Sequence, residues 1–401
     1  MQDQQALADL ARAYSNRLVA SLKREGTLTS PLIEEAFNAV PRHAFMDQFY
    51  VHEEMAVERE QWRLVQRPSQ EDAAAWFETV YSNEALITAF DELDRPTSSS
   101  SAPGIMALML EALDLHPGLR VLEIGTGTGY NLALLAHIVG DPQRVFSVEL
   151  DAALTRQAQQ KLDHVVGRGT TIHIGNGLEG YSQAAPYDRI IATGSYHKVP
   201  LHWLDQLQDG GVLVMDLKKM GILQLKKMGT KRAAHSRFLA PSAFMGLRES
   251  GQASTPNMLS LFSQYTRRPI VQKMTLSQTE FDPVLLEDTH FAFLLQREFP
   301  HTLLLCIPQQ EQIPLTFQLL DSASETLIVF RSTEQADTWK VDVRGALHTW
   351  ERLYQMYQQW VNLGRPTVLE YGVDIDEAGK QYVTISRPMG EVRPPTWALA
   401  E

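Results

Sequence analysis

The chain has 401 residues, 44% hydrophobic, 21% charged and 8% aromatic. That is the balance of a soluble globular protein of two or three domains at roughly 150 residues each, long enough to bury its cores without covalent staples. Thirty-six basic against 48 acidic side chains leave a net charge of −12, which excludes a general nucleic-acid binder, since that needs a basic footprint on phosphates. The one cysteine, Cys306, lies in the apolar run Leu303 to Ile307; it can form no internal disulfide and reads as a buried small hydrophobe. The N-terminal residues contain no apolar signal-peptide core, and no run approaches the roughly 18 apolar residues of a membrane span. Together these predict a cytoplasmic protein.

Residues 5–40 read as helices, with Ser30 and Pro31 as cap and first turn ahead of Ile33, Ala36, Phe37 and Val40. The acidic stretch 51–80, seven carboxylates against three arginines, is expected to hold amphipathic helices around Trp62 and Trp76, as an insertion or lid. From residue 105 strands and helices alternate. Strands are expected at 121–124, 145–148, 171–174, 189–192 and 212–215, which predicts an α/β fold with a Rossmann-like parallel sheet. The segment Leu217-Lys218-Lys219-Met220-Gly221 recurs at 225–229, and two copies fit a β-hairpin better than a solenoid. A polar break at 250–258 precedes strand-like runs at 302–307, 314–319, 326–330 and 339–343. A helix at 346–363 carries Trp350, Leu353, Tyr357 and Trp360 on one face, read as core, and a closing hairpin spans 367–375 and 381–386. The expected units are a helical segment with insertion over 1–80, a cofactor domain over 81–250 and an α+β accessory domain over 270–401.

The sharpest signal is Val121 to Tyr130, where a strand runs into Gly125, Gly127 and Gly129 and a helix follows. Glycines there allow a tight turn and a close ligand approach. The dinucleotide spacing G-x-G-x-x-G is absent, because position 130 is Tyr. Glu123, two residues before the first glycine, would repel a pyrophosphate and suits a ligand with a cationic amine or sulfonium end. Glu149, closing the second strand, is placed to accept from both ribose hydroxyls. Asn176 and Gly177 follow the third strand, where an amide can read an adenine edge. These features describe S-adenosylmethionine. The candidate cofactor residues are Glu123, Gly125, Thr126, Gly127, Gly129, Tyr130, Glu149, Leu150, Asn176, Gly177 and Leu178. His197 and His202 lack the spacing of metal ligands, no His-Glu-x-x-His occurs, and no metal site is expected.

The flanking segments carry a resemblance. Val40-Pro41-Arg42-His43-Ala44-Phe45 and Thr97 to Pro103 precede the glycine turn; Gly175-Asn176-Gly177, Ala185 to Asp188, Val199-Pro200 and Asp205 to Gly211 follow it. In that order, over roughly 30–250, the chain resembles the protein-L-isoaspartate O-methyltransferase family. The resemblance implies methyl transfer from S-adenosylmethionine to a side-chain carboxylate in a peptide. The family's Thr-Ile-Ser-x-Pro segment falls on Ser99 to Pro103, which makes Ser99, Ser100 and Ser101 the candidate catalytic residues and Ser98, Ser195 and His197 candidate substrate contacts. His197 also reads as a plain surface-loop histidine. Asn176 replaces the usual Asp of Gly-Asp-Gly. The region 270–401 lies outside the family's common core and resembles variants that act on ribosomally made peptides cyclised by ATP-grasp ligases. The expected partner is then a peptide carrying Asp or isoAsp, such as a cyclised precursor, whose ester closes to a succinimide. General isoaspartyl repair, a small-molecule methyltransferase and a non-catalytic peptide-binding scaffold are the alternatives.

The charge is unevenly spread. Residues 201–250 hold eight Lys and Arg against four Asp and Glu, including both copies of the repeat. That stretch reads either as an exposed hairpin with lysines that discourage edge pairing or as a docking strip for an acidic peptide, with Lys226 and Lys227 at its centre.

Overall fold

The computed structural model describes residues 2–56, 59–68, 73–92, 95–218, 220–242, 244, 258–311, 313–385 and 397–398. Helices α1 (Gln2–Arg24) and α2 (Pro31–Ala39) open the chain. Pro31 suits the first helical position, where a missing N–H costs nothing. Ser30 makes no side-chain cap; instead the N–H groups of Thr29 and Ser30 donate to the Glu111 carboxylate at 2.7 and 2.6 Å.

Residues 51–80 depart from the helical expectation. Strands β1 (Gln48–Ala56) and β2 (Arg59–Gln66) pair antiparallel, with His52 opposite Trp62; only Trp76 lies on a helix, α3 (Ala73–Val80). Tyr50, Val51, Trp62 and Val65 are aromatic or β-branched, types that pack well on a pleated surface. Strands β3 (Leu86–Phe90) and β4 (Pro96–Ser100) complete a sheet of order β2-β1-β3-β4. The serine run is therefore largely an edge strand. Ser98 and Ser100 are buried while Ser99 and Ser101 are half-buried, the alternation a pleat imposes.

Next come α4 (Pro103–Ala112), β5 (Val121–Ile124), α5 (Tyr130–Val139), β6 (Val145–Glu149), α6 (Ala152–Val165) and β7 (Thr171–Ile174). They are followed by β8 (Tyr187–Tyr196), α7 (Leu201–Gln206) and β9 (Leu207–Leu217). All five expected strands are present, parallel and in the order β7-β6-β5-β8-β9. Their side chains alternate between two buried layers. Val121, Val145, Ile191 and Val214 join the N-terminal helices and α5, whereas Leu122, Ile124, Phe146, Val148, Ile190 and Leu213 face the other core. Burial on both faces is what a parallel sheet with flanking helices requires.

Strands β10 (Gly221–Lys227) and β11 (Ala234–Ala240) continue the sheet antiparallel. The first repeat copy ends β9 and forms the turn to β10, so the hairpin reading holds; Lys219 lies outside the described residues. In the second copy Lys226 is exposed but Lys227 is buried. The Lys227 ammonium donates to Leu204 O and Leu207 O, both at 2.5 Å, the carbonyls that α7 leaves open at its C-terminal end. A docking strip centred on both lysines is thus corrected: burial takes Lys227 out of reach of any partner.

The polar break falls, up to residue 257, outside the described residues. Beyond it lie α8 (Met258–Thr266), β12 (Gln272–Ser277), α9 (Thr289–Glu298), β13 (Thr302–Ile307), β14 (Thr316–Asp321), β15 (Thr326–Ser332), β16 (Thr338–Arg344) and α10 (Leu347–Asn362). The strands form an antiparallel sheet of order β12-β16-β15-β14-β13. Trp350, Leu353, Tyr357 and Trp360 of α10 are buried, and the stripe is core. Cys306 is half-buried rather than buried, because β13 is an edge strand with one neighbour; burial, then nearby Glu287, raises its thiol pKa.

The closing hairpin, β17 (Tyr371–Ile375) and β18 (Gln381–Ile385), does not join that sheet. β17 pairs with β11, and with β19 (Trp397–Ala398) the first sheet reaches ten strands, β19-β18-β17-β11-β10-β9-β8-β5-β6-β7. The two backbones approach too closely for a side chain at Gly372, where an added Cβ would lie 2.2 Å from Ser236 O. Phe293 of α9 packs edge-on to Phe238 of β11 at 5.1 Å and lies 4.8 Å from Tyr371 of β17. One apolar core therefore runs from the parallel sheet into the C-terminal sheet. No helix among the described residues is long and apolar enough to cross a membrane.

The two lysines of the second repeat copy should separate cleanly. Lys226→Glu is expected to leave urea stability within about 0.5 kcal/mol, whereas Lys227→Glu should cost about 3 kcal/mol by burying a carboxylate against two carbonyls. Equal effects would contradict the helix-end role of Lys227.

Candidate active site

The strand order reverses at β5, which has β6 on one side and β8 on the other. In open α/β sheets a ligand crevice forms outside the carboxyl ends of the strands at such a point. A cleft lies there, lined by 96–101, Met106, Glu123, Gly125 to Thr128, Tyr130, Asn131, Glu149, Leu150, Thr193 and Gly194.

Glu123 is fully buried. Asn131 Nδ2, one residue into α5, donates to its Oε1 at 2.8 Å, and Ser147 Oγ of β6 donates to Oε2 at 2.8 Å. Ser147 Oγ also lies 2.7 Å from Thr126 Oγ1 in the glycine turn; since its proton goes to Glu123, Thr126 supplies the hydrogen here. Burial pushes the Glu123 carboxyl up to about 8, against the lowering effect of these two donors, with Glu149 adding to the rise. Asn131 Oδ1 is a buried acceptor without a hydrogen-bond partner, and turning the amide over would offer it to a protonated Glu123. Glu149, at the end of β6, accepts from Gly127 N at 3.0 Å through Oε2 and from Asp151 N at 3.1 Å through Oε1. Both carboxylates thus hold the glycine turn in place. Gly125 and Gly127 have φ of 92° and 52°, a region that L side chains rarely enter.

The opposite wall is β4. An added Cβ on Gly127 would stand 3.4 Å from Ser99 O and 3.7 Å from Ser98 Oγ, so turn and serine strand are in contact. The strand is braced from behind by Arg42, fully buried. Its Nη1 donates to Val80 O and Ser82 O at 2.8 and 3.0 Å. Nη2 faces Glu84 O, Ser100 O and Ser101 O at 3.0 to 3.2 Å, and Nε donates to Ser100 Oγ at 3.2 Å. Burial lowers the Arg42 pKa to about 10, still leaving it charged at neutral pH. Beside it, His43 Nδ1 lies 2.7 Å from Tyr81 Oη, and burial, with Arg67 nearby, holds the imidazole down to about 4.

A third wall comes from β8. Ala192 pairs with Met215 and Ser195 with Asp216, so Thr193 and Gly194 are extra residues that bulge into the cleft. Thr193 Oγ1 donates to Gly125 O at 2.7 Å.

The structure therefore brings Ser98, Ser99, Ser100, Ser101, Glu123, Gly125, Thr126, Gly127, Tyr130, Glu149 and Leu150 to one cleft. Gly129 stands just behind, in the left-handed region as N-cap of α5. The others lie elsewhere. Asn176 Oδ1 accepts from Leu178 N at 3.0 Å, capping its own short turn, and Gly177 O accepts from Trp203 Nε1 at 2.8 Å; Asn176, Gly177 and Leu178 do not line the cleft. Ser195 is buried behind the bulge, and exposed His197 sits 3.2 Å from Lys218 Nζ. Ser100 faces Arg42, which makes it part of the brace. Sequence reading missed Asn131, Ser147, Arg42 and the bulge. Asn131 stands next to the glycine motif and Arg42 within a quoted motif, but only packing shows what they hold.

A family model described as protein-L-isoaspartate(D-aspartate) O-methyltransferase matches residues 69–246. The chain is 37% identical over 151 residues to a protein-L-isoaspartate O-methyltransferase of Ignicoccus hospitalis, a stretch that makes up 37% of this chain and 72% of that relative. It is 29% identical over 237 residues to one from Pyrobaculum islandicum, covering 58% of this chain and 99% of the relative. A solved structure of a protein-L-isoaspartate O-methyltransferase matches with a TM-score of 0.52 at 20% identity, over 93% of this chain and all 100% of that one. At that identity the likeness is one of fold, and it extends through the C-terminal region.

Two substitutions test the buried ionisable groups. The folded state keeps a proton on Glu123 that the unfolded chain releases above its ordinary pKa of 4.5. Stability should therefore fall by a few kcal/mol as pH rises from about 4.5 to about 8. Glu123→Gln should remove that part of the slope in urea titrations; an unchanged slope would contradict the assignment. Arg42→Lys, with three donors for six acceptor contacts, should cost about 3 kcal/mol.

Proposed function

The chain belongs to the protein-L-isoaspartate O-methyltransferase family, and on that premise we propose that its cleft transfers a methyl group from S-adenosylmethionine to the side-chain carboxylate of an isoaspartyl residue in a peptide. The observation that carries this reading is the contact between the glycine turn and the serine strand: the turn of a cofactor site and a row of hydroxyls meet in one cleft.

The residues present suit the cofactor. The Glu149 oxygens each accept one backbone N–H and keep lone pairs for a ribose diol. Leu150, 46% exposed just beyond the end of β6 and lining the cleft, offers apolar surface for a flat base. Glu123 and Asn131 supply polar groups where an amino acid moiety would lie. When bound, S-adenosylmethionine supplies a methyl group activated by its sulfonium. The protein's part is then to bind, orient and exclude water. An aspartyl-type carboxylate, with a pKa near 4, is ionised at neutral pH and needs no general base. Ser99 on β4 and Ser101 just past its end, on backbone that Arg42 holds, can donate to one carboxylate oxygen and aim it without adding a competing charge. Orientation of this kind is the main lever for a displacement between two held groups.

The reading as a precursor-peptide tailoring enzyme rests on the C-terminal extension. Because a solved protein-L-isoaspartate O-methyltransferase matches nearly the whole chain, that feature does not separate tailoring from action on isoaspartyl peptides. The experiment that decides is incubation with labelled cofactor and matched peptides carrying Asp or isoAsp, with products read by mass spectrometry. Ester or succinimide on the isoAsp peptide is expected; labelling of the Asp peptide alone would overturn the proposal.

Ser101→Ala should keep S-adenosylhomocysteine affinity within about twofold and lower kcat/KM about tenfold. Glu149→Ala should do the reverse, weakening that affinity at least about tenfold. The opposite pattern, read by calorimetry and kinetics, would remove these assignments.

A further inference from the structure

We propose that Gln381, in the C-terminal hairpin, is a positioning residue for the peptide acceptor; this deepens the carboxyl-methyltransferase reading above and rests on it. Gln381 opens β18, 8% exposed. Its side-chain amide closes a ring of two hydrogen bonds with Val199: Nε2 donates to Val199 O at 2.7 Å and Oε1 accepts from Val199 N at 3.0 Å. The amide takes the place of a neighbouring strand for a residue that has none. The two positions are 182 residues apart in the chain, so the C-terminal hairpin reaches back to grip the segment that leaves β8.

What that segment carries gives the grip its consequence. Thr193 and Gly194 are the two extra residues of the β8 bulge and form one wall of the cleft. A bulge is a break in ladder pairing, so its shape is set by what holds it at either end. On the cofactor side the anchor is Thr193 Oγ1 on Gly125 O at 2.7 Å. On the other side β8 resumes pairing at Ser195 and Tyr196, whose carbonyl accepts from Lys218 N at 2.7 Å. His197 and Lys198 follow, both exposed, and Val199 is then held by Gln381. At about 3.3 Å per extended residue, His197 lies within roughly 10 Å of Gly194. The exposed span is short and fastened at both ends. Releasing the Gln381 end frees the exposed span 197–198, the stretch beside the cleft wall that an acceptor peptide would meet, and leaves the bulge, Glu149, Glu123 and the glycine turn with their own anchors.

The chemistry of the grip selects glutamine. Methionine matches its length but neither donates nor accepts well here. Asparagine is one methylene short of closing both bonds. Glutamate would set a carboxylate against Val199 O.

The test uses the full chain with Gln381→Met and Gln381→Asn. Methylation kinetics on an isoaspartyl peptide should show KM for the peptide raised about tenfold, the size expected for losing a buried hydrogen-bonded pair. kcat should fall less than about threefold, and S-adenosylhomocysteine affinity should stay within about twofold. Hydrogen exchange in Gln381→Asn should quicken over 197–199 and stay unchanged in β5. Unchanged peptide KM, or exchange that does not quicken at 197–199, would overturn the proposal. So would a loss of S-adenosylhomocysteine affinity as large as the change in KM, which would make Gln381 part of the general fold. A wild-type protein inactive on every isoaspartyl peptide would overturn the parent reading and this one together; an active wild type with unaltered variants would overturn this one alone.

Discussion

Glu123 occupies the central strand of the parallel sheet without access to solvent, and the cleft is built around its two oxygens. One is held by the helix that follows the glycine turn, the other by the adjacent strand, and the strand's serine passes the link on to Thr126 in the turn. A buried carboxyl is expensive unless hydrogen-bonded. The same three groups that meet this cost also lock β5, β6, α5 and the turn to one another. Apolar side chains would pack as well in the same space but could not fix a glycine-rich loop, which has almost no side chains of its own to be held by.

A buried cation does the same for the opposite wall. Arg42 spends its donors on carbonyls from the end of α3, the loop after it and the end of β4, together with one serine hydroxyl. Irregular backbone leaves carbonyls without ladder partners, and a planar fork with five N–H groups can collect several of them at once. A serine edge strand with few apolar contacts thereby becomes rigid enough to present hydroxyls in a fixed row.

The C-terminal region completes the frame. Its sheet has its own helices, yet its aromatic core merges with the layer beneath the parallel sheet, and its last hairpin extends that sheet through Ser236, which exchanges hydrogen bonds with Val373 N and O at 2.7 Å. The expected accessory unit over 270–401 is in this sense divided, with 272–362 around the separate sheet and 371–385 in the main one. Edge strands in need of a partner explain the division. β11 would otherwise present an open edge, and the hairpin over 371–385 covers it.

Much of this was legible from residue types. Glycine spacing, the acidic residues at strand ends and the alternation of short apolar runs with helical stretches pointed to the parallel sheet, the turn and the cofactor class, because the period that marks each strand, helix and turn is written within about ten residues. The strand pair over 48–66 is not legible in this way, since its aromatic and β-branched residues Tyr50, Val51, Trp62 and Val65 follow no clean two-residue period among the acidic positions. Only the tertiary structure decided that Asn176 caps its own turn, that Ser100 faces Arg42, that Lys227 points inward and that Gln381 holds Val199. In each case one side chain has several chemically suitable partners, and which one it meets depends on how distant segments pack. Local pattern determined where the chemistry could sit; long-range packing decided which groups would be free to perform it.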